Sequence, residues 1–140
     1  MAEDRPEALE AERWLAYARE DFAHGQLGAA SFPRSAAWGF QQAAEKAFKA
    51  VLIAQCLAVP RTHDIAFLLT CLHESDPVVD SLREDVLALT AISPAMRYPG
   101  DWPDLGVEDV RALSAASARI LAWAEENIAQ RRNPDDGDAL

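Results

Sequence analysis

The chain has 140 residues, a length typical of one domain that buries its own core without metal or disulfide support. Its formal net charge of −10 argues against general nucleic-acid binding, because such binding needs lysines and arginines to displace counterions. There is no apolar run long enough to span a membrane and no signal-peptide pattern at the start, so we expect a cytoplasmic protein.

Apolar residues recur at helical spacing from the start of the chain onward. A first helix is predicted over residues 6–29, beginning at Pro6, and a break at residues 31–33 separates it from a second helix over residues 34–56. The apolar stripe of the first helix consists of Trp14, Ala18 and Phe22, with Tyr17 on the adjoining turn. The second helix is rich in alanine, which permits close approach of neighbouring helices.

Three further helices follow. The third begins at a Thr62 or Asp64 cap and ends near Leu72. The fourth covers residues 77–96, with Asp76 as its cap and Pro94 kinking or ending it, and the last covers residues 107–130. The pattern predicts an all-α, up-and-down bundle of four long helices with one additional short helix. Residues 1–130 are expected to form a single domain, and residues 131–140 a flexible tail.

Two cysteines, Cys56 and Cys71, lie in apolar helical context. We expect both to be buried, reduced thiols, as is common in proteins of the cytosol.

Lys46 and Lys49 are the only lysines of the chain, and both lie on the second helix, three residues apart. They can form a patch that binds a phosphate, or they can lie on a solvated helix face where Lys49 pairs with Glu45. Between residues 34 and 63 the basic residues outnumber the acidic ones, which makes this segment locally positive in an acidic protein.

Four segments in order resemble the HEPN family, whose members are small helical bundles often found beside minimal nucleotidyltransferases in prokaryotes. They are Trp14-Leu-Ala-Tyr-Ala-Arg-Glu-Asp21, Phe40-Gln-Gln-Ala-Ala-Glu-Lys-Ala-Phe-Lys-Ala-Val-Leu52, Thr62-His63-Asp64, and Arg97-Tyr98-Pro99 followed by Ala118-Arg-Ile-Leu-Ala-Trp123. The resemblance covers about residues 12–128. It implies a homodimer, and activities that include metal-independent RNA cleavage and nucleotide binding.

The resemblance also implies a ribonuclease motif in which an arginine is followed, after four to six residues, by a histidine. No histidine follows Arg97, because the histidines of the chain are His24, His63 and His73. Arg19 and His24 have the required spacing, but on a regular helix their side chains do not converge. The motif is therefore missing, and we do not expect the chain to be an enzyme of that kind.

The candidate residues for binding a nucleotide or another phosphate are Lys46, Lys49, His63 and Arg97. His63, next to a predicted helix start, can bind an anion or can have a structural role. Arg97 can contact a phosphate with two hydrogen bonds, or can satisfy carbonyl groups at the end of its helix. Neither a metal site nor a cofactor is expected.

Three functions remain open. The first is a non-nuclease module that binds a nucleotide or regulates a minimal nucleotidyltransferase, in the manner of a toxin–antitoxin pair. The second is a metal-independent ribonuclease toxin that uses Arg97 with His63. The third is a purely structural dimerisation module, with small residues such as Ala43, Ala44 and Ala47 packed across a two-fold axis. The expected partners are a second copy, a nucleotidyltransferase, and a nucleotide or RNA, but no membrane.

Overall fold

A computed structural model describes residues 5–74 and 76–132, and these ranges contain helices and turns but no strand. The α-helices are α1 (Pro6–Gly28), α2 (Pro33–Ala54), α3 (Ile65–His73), α4 (Arg83–Thr90) and α5 (Val107–Arg132). Short 3-10 helices cover Pro77–Leu82 and Pro94–Arg97. The all-α fold class is confirmed. In the bundle, α1, α2 and α5 are long, whereas α4 has 8 residues behind the Pro77–Leu82 turn, and the additional helix α3 has 9.

The second helix, α2, lies at the centre of the bundle. Helices α1 and α5 make the largest contacts with it, and α3, α4 and the Pro94–Arg97 turn cover the rest. Most of its residues are buried, among them Phe40, Phe48 and Leu52. A helix enclosed on most sides must also bury some of its polar side chains, and these require partners inside the chain.

Helices α1 and α2 approach each other closely where Gly25 faces Gly39. A Cβ atom added at Gly39 would lie 3.1 Å from the Asp21 carbonyl oxygen and 3.4 Å from the Gly25 Cα atom. A Cβ atom at Gly25 would lie 2.7 Å from the Phe40 ring, which also packs on the Phe22 ring at 5.4 Å. The absence of side chains at both glycines therefore sets the distance between the two helices.

Two predicted helix starts are confirmed by their capping hydrogen bonds. Asp64 accepts hydrogen bonds from the backbone N–H groups of Ala66 and Phe67, and Asp76 accepts one from Val78. A short acceptor side chain at this position satisfies backbone donors that the helix itself leaves free.

The prediction of one helix over residues 77–96 is wrong in detail. The segment begins as a 3-10 helix at Pro77, continues as α4 only to Thr90, and resumes as a second 3-10 turn at Pro94. Ser93 is extended, with φ −88° and ψ 145°, because the ring of a following proline disfavours the helical conformation. Pro94 thus ends the helix, and the chain turns so that Arg97 returns to α2.

The expectation that both cysteines are buried is wrong for Cys56, which is exposed, whereas Cys71 is half-buried. Cys56 has a φ of 59° and follows the last residues of α2. The Leu57 N–H donates to the Leu52 carbonyl at 2.9 Å and the Cys56 N–H to the Ile53 carbonyl at 3.0 Å. This is a Schellman C-cap in which cysteine stands where glycine is usual, at a cost of about 1 kcal/mol.

Among the polar contacts that join helix α5 to the bundle, those of Ser117 and Arg119 are the least exposed to solvent or the best formed. The buried Ser117 hydroxyl donates to the Phe40 carbonyl at 2.8 Å. The Arg119 guanidinium contacts both carboxylate oxygens of Asp85 on α4, with its shortest hydrogen bond at 2.8 Å. This hydrogen bonding raises the pKa of Arg119 above its ordinary value, so the guanidinium keeps its charge at any physiological pH.

The predicted packing of Ala43, Ala44 and Ala47 across a two-fold axis is wrong, because all three are completely buried within one chain. Any dimer must use other residues. The expected tail over residues 131–140 overlaps the end of α5, and residues 133–140 lie outside the described residues. Within the described ranges, no helix is both long and apolar enough to cross a bilayer.

We expect Gly25→Ala to lower the free energy of unfolding by about 1–2 kcal/mol, because overpacking against Phe40 outweighs the gain in helix propensity. Gly28→Ala is the matched control, since its nearest neighbour would be the Phe32 Cβ at 3.9 Å. The control should be neutral or stabilising. Urea unfolding of the two variants measures the difference, and equal effects would contradict the close approach of the helices.

Candidate functional site

The Glu45 carboxylate, buried on α2, is the centre of a polar network. Lys49, one turn later on the same helix, donates from Nζ to Glu45 Oε2 at 3.0 Å. The side chains of Glu45 and Lys49 are only 4% and 9% exposed, so the pair lies inside the protein. The prediction that these two residues pair is confirmed, but they do so in the interior rather than on a solvated face.

His63 completes this network from the segment that precedes α3. Its Nδ1 atom lies 3.0 Å from Glu45 Oε1 and 3.2 Å from Oε2. Since a carboxylate only accepts hydrogen bonds, Nδ1 carries the proton that points at Glu45. The imidazole is otherwise exposed, which leaves Nε2 on the side that solvent can reach.

Two glutamines hold the network in place. The Gln42 amide donates to Gln41 Oε1 at 2.9 Å and to Glu45 Oε1 at 3.4 Å. The Gln41 amide donates to the His63 carbonyl at 3.3 Å, and so ties the loop before α3 to α2. Both glutamines therefore support the structure around Glu45.

Lys46 lies in a separate ion pair. Its Nζ atom is 2.5 Å from Asp21 Oδ2 on α1 and 5.9 Å from the centre of the Tyr17 ring. Lys49 Nζ also faces α1, 5.9 Å from the Trp14 ring. Each lysine thus has a carboxylate partner inside the chain, and a role of Lys46 and Lys49 in phosphate binding stays a prediction.

Arg97, at the end of the second 3-10 turn, stacks on an aromatic residue of α2. Its guanidinium carbon lies 4.8 Å from the centre of the Trp38 ring and 6.0 Å from that of Tyr98. Nε donates to the Pro94 carbonyl at 3.3 Å, which is the carbonyl contact expected at a helix end. The other N–H groups of the guanidinium have no acceptor among the described residues, and they are free to bind a ligand.

A groove of about 470 Å³ lies at this place, which we call the Arg97 groove. Its lining consists of Phe32, Pro33, Arg34, Ser35, Trp38 and Arg97. In residues 5–74 and 76–132, neither Arg34 nor Arg97 has a carboxylate partner. The arginines that form ion pairs in these ranges are Arg5, Arg13, Arg19, Arg83, Arg111 and Arg119.

The start of α2 forms one wall of the Arg97 groove. Its first turn contains no acidic residue and its N-cap residue, Phe32, makes no side-chain capping hydrogen bond. By contrast, Asp64 caps α3, and α5 starts with Glu108 and Asp109. A helix start is a region of positive potential, so Arg34 adds a positive charge where a negative one is preferred.

His63 lies in a neighbouring cleft of about 320 Å³, which Gln41, Asp64 and Ser93 help to line. Arg97 contacts Trp38 of α2, and His63 contacts Glu45, which lies seven residues later on the same helix. Seven residues of a helix correspond to a rise of about 10 Å. The two predicted residues thus contact α2 about two turns apart.

Sequence reasoning identified Arg97 but missed Arg34, Phe32 and Trp38 as its companions. The available signal was the uncapped start of the second helix beside an arginine, at the break after the first helix. Nothing in the spacing of the sequence motifs indicates that Arg97 folds back to the start of the second helix. Among the described residues, no group of three or more histidine, cysteine or acidic side chains could hold a metal ion.

The family model described as HEPN domain matches residues 8–128 of the chain. The crystal structure of TT1696 from Thermus thermophilus is similar, with 29% sequence identity and a TM-score of 0.73. The similarity covers 84% of this chain and 97% of that one. No curated protein matches the sequence.

Removing the ammonium group of the buried pair should destabilise the fold strongly. We expect Lys49→Met to lower the free energy of unfolding by about 3 kcal/mol, because Glu45 would remain buried with its charge only partly compensated. The double variant Glu45→Gln with Lys49→Met should recover most of this loss. Urea unfolding measures all the variants.

The control for this experiment is Lys46→Met, which breaks an ion pair whose side chains are 24% and 28% exposed. Its cost should stay near or below about 1 kcal/mol, since water screens the Asp21 charge. Equal losses for the two lysine variants would contradict a buried Glu45 network.

Proposed function

Since the chain belongs to the HEPN domain family, we propose that it is a non-nuclease module that binds a nucleotide in the Arg97 groove and acts with a minimal nucleotidyltransferase. The observation that carries this function is the meeting of two arginines, Arg34 and Arg97, without carboxylate partners beside an uncapped helix start. An anion bound there would satisfy the guanidinium groups and the first-turn N–H groups of α2 together.

The aromatic content of the groove supports a nucleotide over a simple anion. Phe32 in the lining and Tyr98 next to Arg97 are exposed, and the half-buried Trp38 ring lies against the Arg97 guanidinium. Nucleobases stack on such rings with about 1–3 kcal/mol per base. A groove of about 470 Å³ has the size of a site for one small molecule.

The charge distribution favours a mononucleotide over a long RNA. With a formal net charge of −10, the protein surface repels a polyanion beyond the few residues of the groove. A mononucleotide places all of its charge between Arg34 and Arg97 and meets little of that repulsion. We therefore assign the site to a nucleotide phosphate.

The proposed partner is a minimal nucleotidyltransferase, as is found beside many members of this family, and the chain itself is proposed to be a homodimer. Co-expression with the product of a neighbouring nucleotidyltransferase gene, followed by size-exclusion chromatography, tests the first association. Light scattering at micromolar concentration tests the second. A chain that elutes without the nucleotidyltransferase and scatters light as a monomer would contradict both proposed associations.

Isothermal titration with ATP and GTP tests the binding site. We expect Arg97→Gln and Arg34→Gln each to weaken binding roughly 10- to 100-fold, as follows from the loss of a charged hydrogen bond. Arg83→Gln is the control, because it removes the same charge from an exposed pair with Asp80 on another element. Lys46→Gln is a second control that changes a paired cation of α2.

The result that contradicts the site is binding that survives both groove variants, or that falls equally in the Arg83 control. Binding that is lost in Lys46→Gln but kept in both groove variants would show that the site lies at the lysines of α2 instead. If the wild-type chain binds neither nucleotide, it is a structural module.

A second function, metal-independent RNA cleavage, is favoured by one observation, the contact of His63 with the buried Glu45 carboxylate. The carboxylate fixes the imidazole so that Nε2 can exchange a proton with a ribose hydroxyl. The rise of about 10 Å between the α2 contacts of His63 and Arg97 argues against joint action at one phosphate. We expect RNA to stay intact with the purified protein in EDTA; cleavage that His63→Ala abolishes would reverse this assignment.

A further inference from the structure

The Arg97 groove has a lining that is unusual for a site that binds a nucleotide together with a magnesium ion. The polar side chains among its lining residues are Arg34, Ser35 and Arg97, and none of the lining residues is acidic. Magnesium bound with a nucleotide is usually held by one or two protein carboxylates in addition to the phosphates. The described lining offers no such ligand.

The electrostatics of the groove also disfavour a magnesium ion. Two guanidinium groups and the positive end of α2 share this space, and a divalent cation placed among them would be repelled. Arginine and magnesium also compete for the same phosphate oxygens, because both bind at the negative charge. A nucleotide that keeps its magnesium therefore has less charge left to offer Arg34 and Arg97.

We propose that the Arg97 groove selects the metal-free form of a nucleoside polyphosphate, with the phosphates between Arg34 and Arg97 and the base against Phe32, Pro33 and Trp38. This inference rests on the proposed function and adds the ionic form of the ligand. Magnesium then acts as a competitor for the nucleotide rather than as a cofactor of the site.

Titration of the wild-type chain with ATP, at constant ionic strength and in either EDTA or excess magnesium chloride, tests this directly. The expected result is binding in EDTA that becomes roughly tenfold weaker in magnesium, as the loss of one charged hydrogen bond predicts. Adenosine and inorganic tripolyphosphate should each bind more weakly than ATP in EDTA, because each fills only one half of the groove.

A further variant adds the carboxylate ligand for magnesium that the groove lining lacks. Ser35→Asp places a carboxylate in the lining and in the first turn of α2, where a negative charge stabilises the helix. We expect this variant to fold, to bind free ATP at least several-fold more weakly than the wild type, and to lose most of the inhibition by magnesium. The matched variant Ser35→Asn keeps the size without the charge and should behave as the wild type does.

The outcomes separate this inference from the proposed function. Binding of ATP in EDTA that magnesium leaves unchanged or strengthens would overturn the metal-free selection and leave the nucleotide site intact. Absence of binding under both conditions would remove both. Equal affinity for ATP and inorganic tripolyphosphate would show a phosphate site without base recognition, and would overturn the assignment of the base to the apolar half.

Discussion

The burial of Glu45 on the central helix is the constraint on which the rest of the structure depends. Since α1, α3, α4 and α5 enclose α2, a carboxylate on it must find its partners inside the protein. Lys49 supplies the opposite charge, and His63 and Gln42 supply further hydrogen bonds. One carboxylate thereby fixes a lysine, a histidine and the loop that leads into α3.

The cations that lie on α2 or against its start fall into two groups. The lysines of α2 are neutralised within the bundle, by Glu45 and by Asp21, so that they stabilise packing between α1 and α2. The unpaired arginines Arg34 and Arg97 lie where α2 begins and no acidic side chain caps it. A positive residue at an uncapped helix start is unfavourable for the isolated fold. Departures from local consistency of this kind are expected at functional sites rather than at structural ones.

The sequence predicted the helical fold class, four of the five α-helices within about two residues, and the caps at Asp64 and Asp76. These features depend on local spacing and on short side chains. The ending of the fourth helix at Pro94 was also predicted. The 3-10 conformation of Pro77–Leu82 and the exposure of Cys56, whose conformation follows from how α2 ends, were not. The Arg97 groove could not be predicted from the sequence either, because it joins residues 32–38 to a residue far along the chain.

The acidic surface and the cationic groove together define the range of ligands. Exposed charges are screened beyond about 8–10 Å at physiological ionic strength, so an anion senses the two arginines only when it is close to them. A ligand longer than this distance extends over a surface whose remaining charge is negative. Its affinity gains nothing from additional phosphates, whereas a short ligand keeps both arginine contacts. Under the proposed function, the charge balance that disfavours RNA therefore favours a small, highly charged anion in the groove.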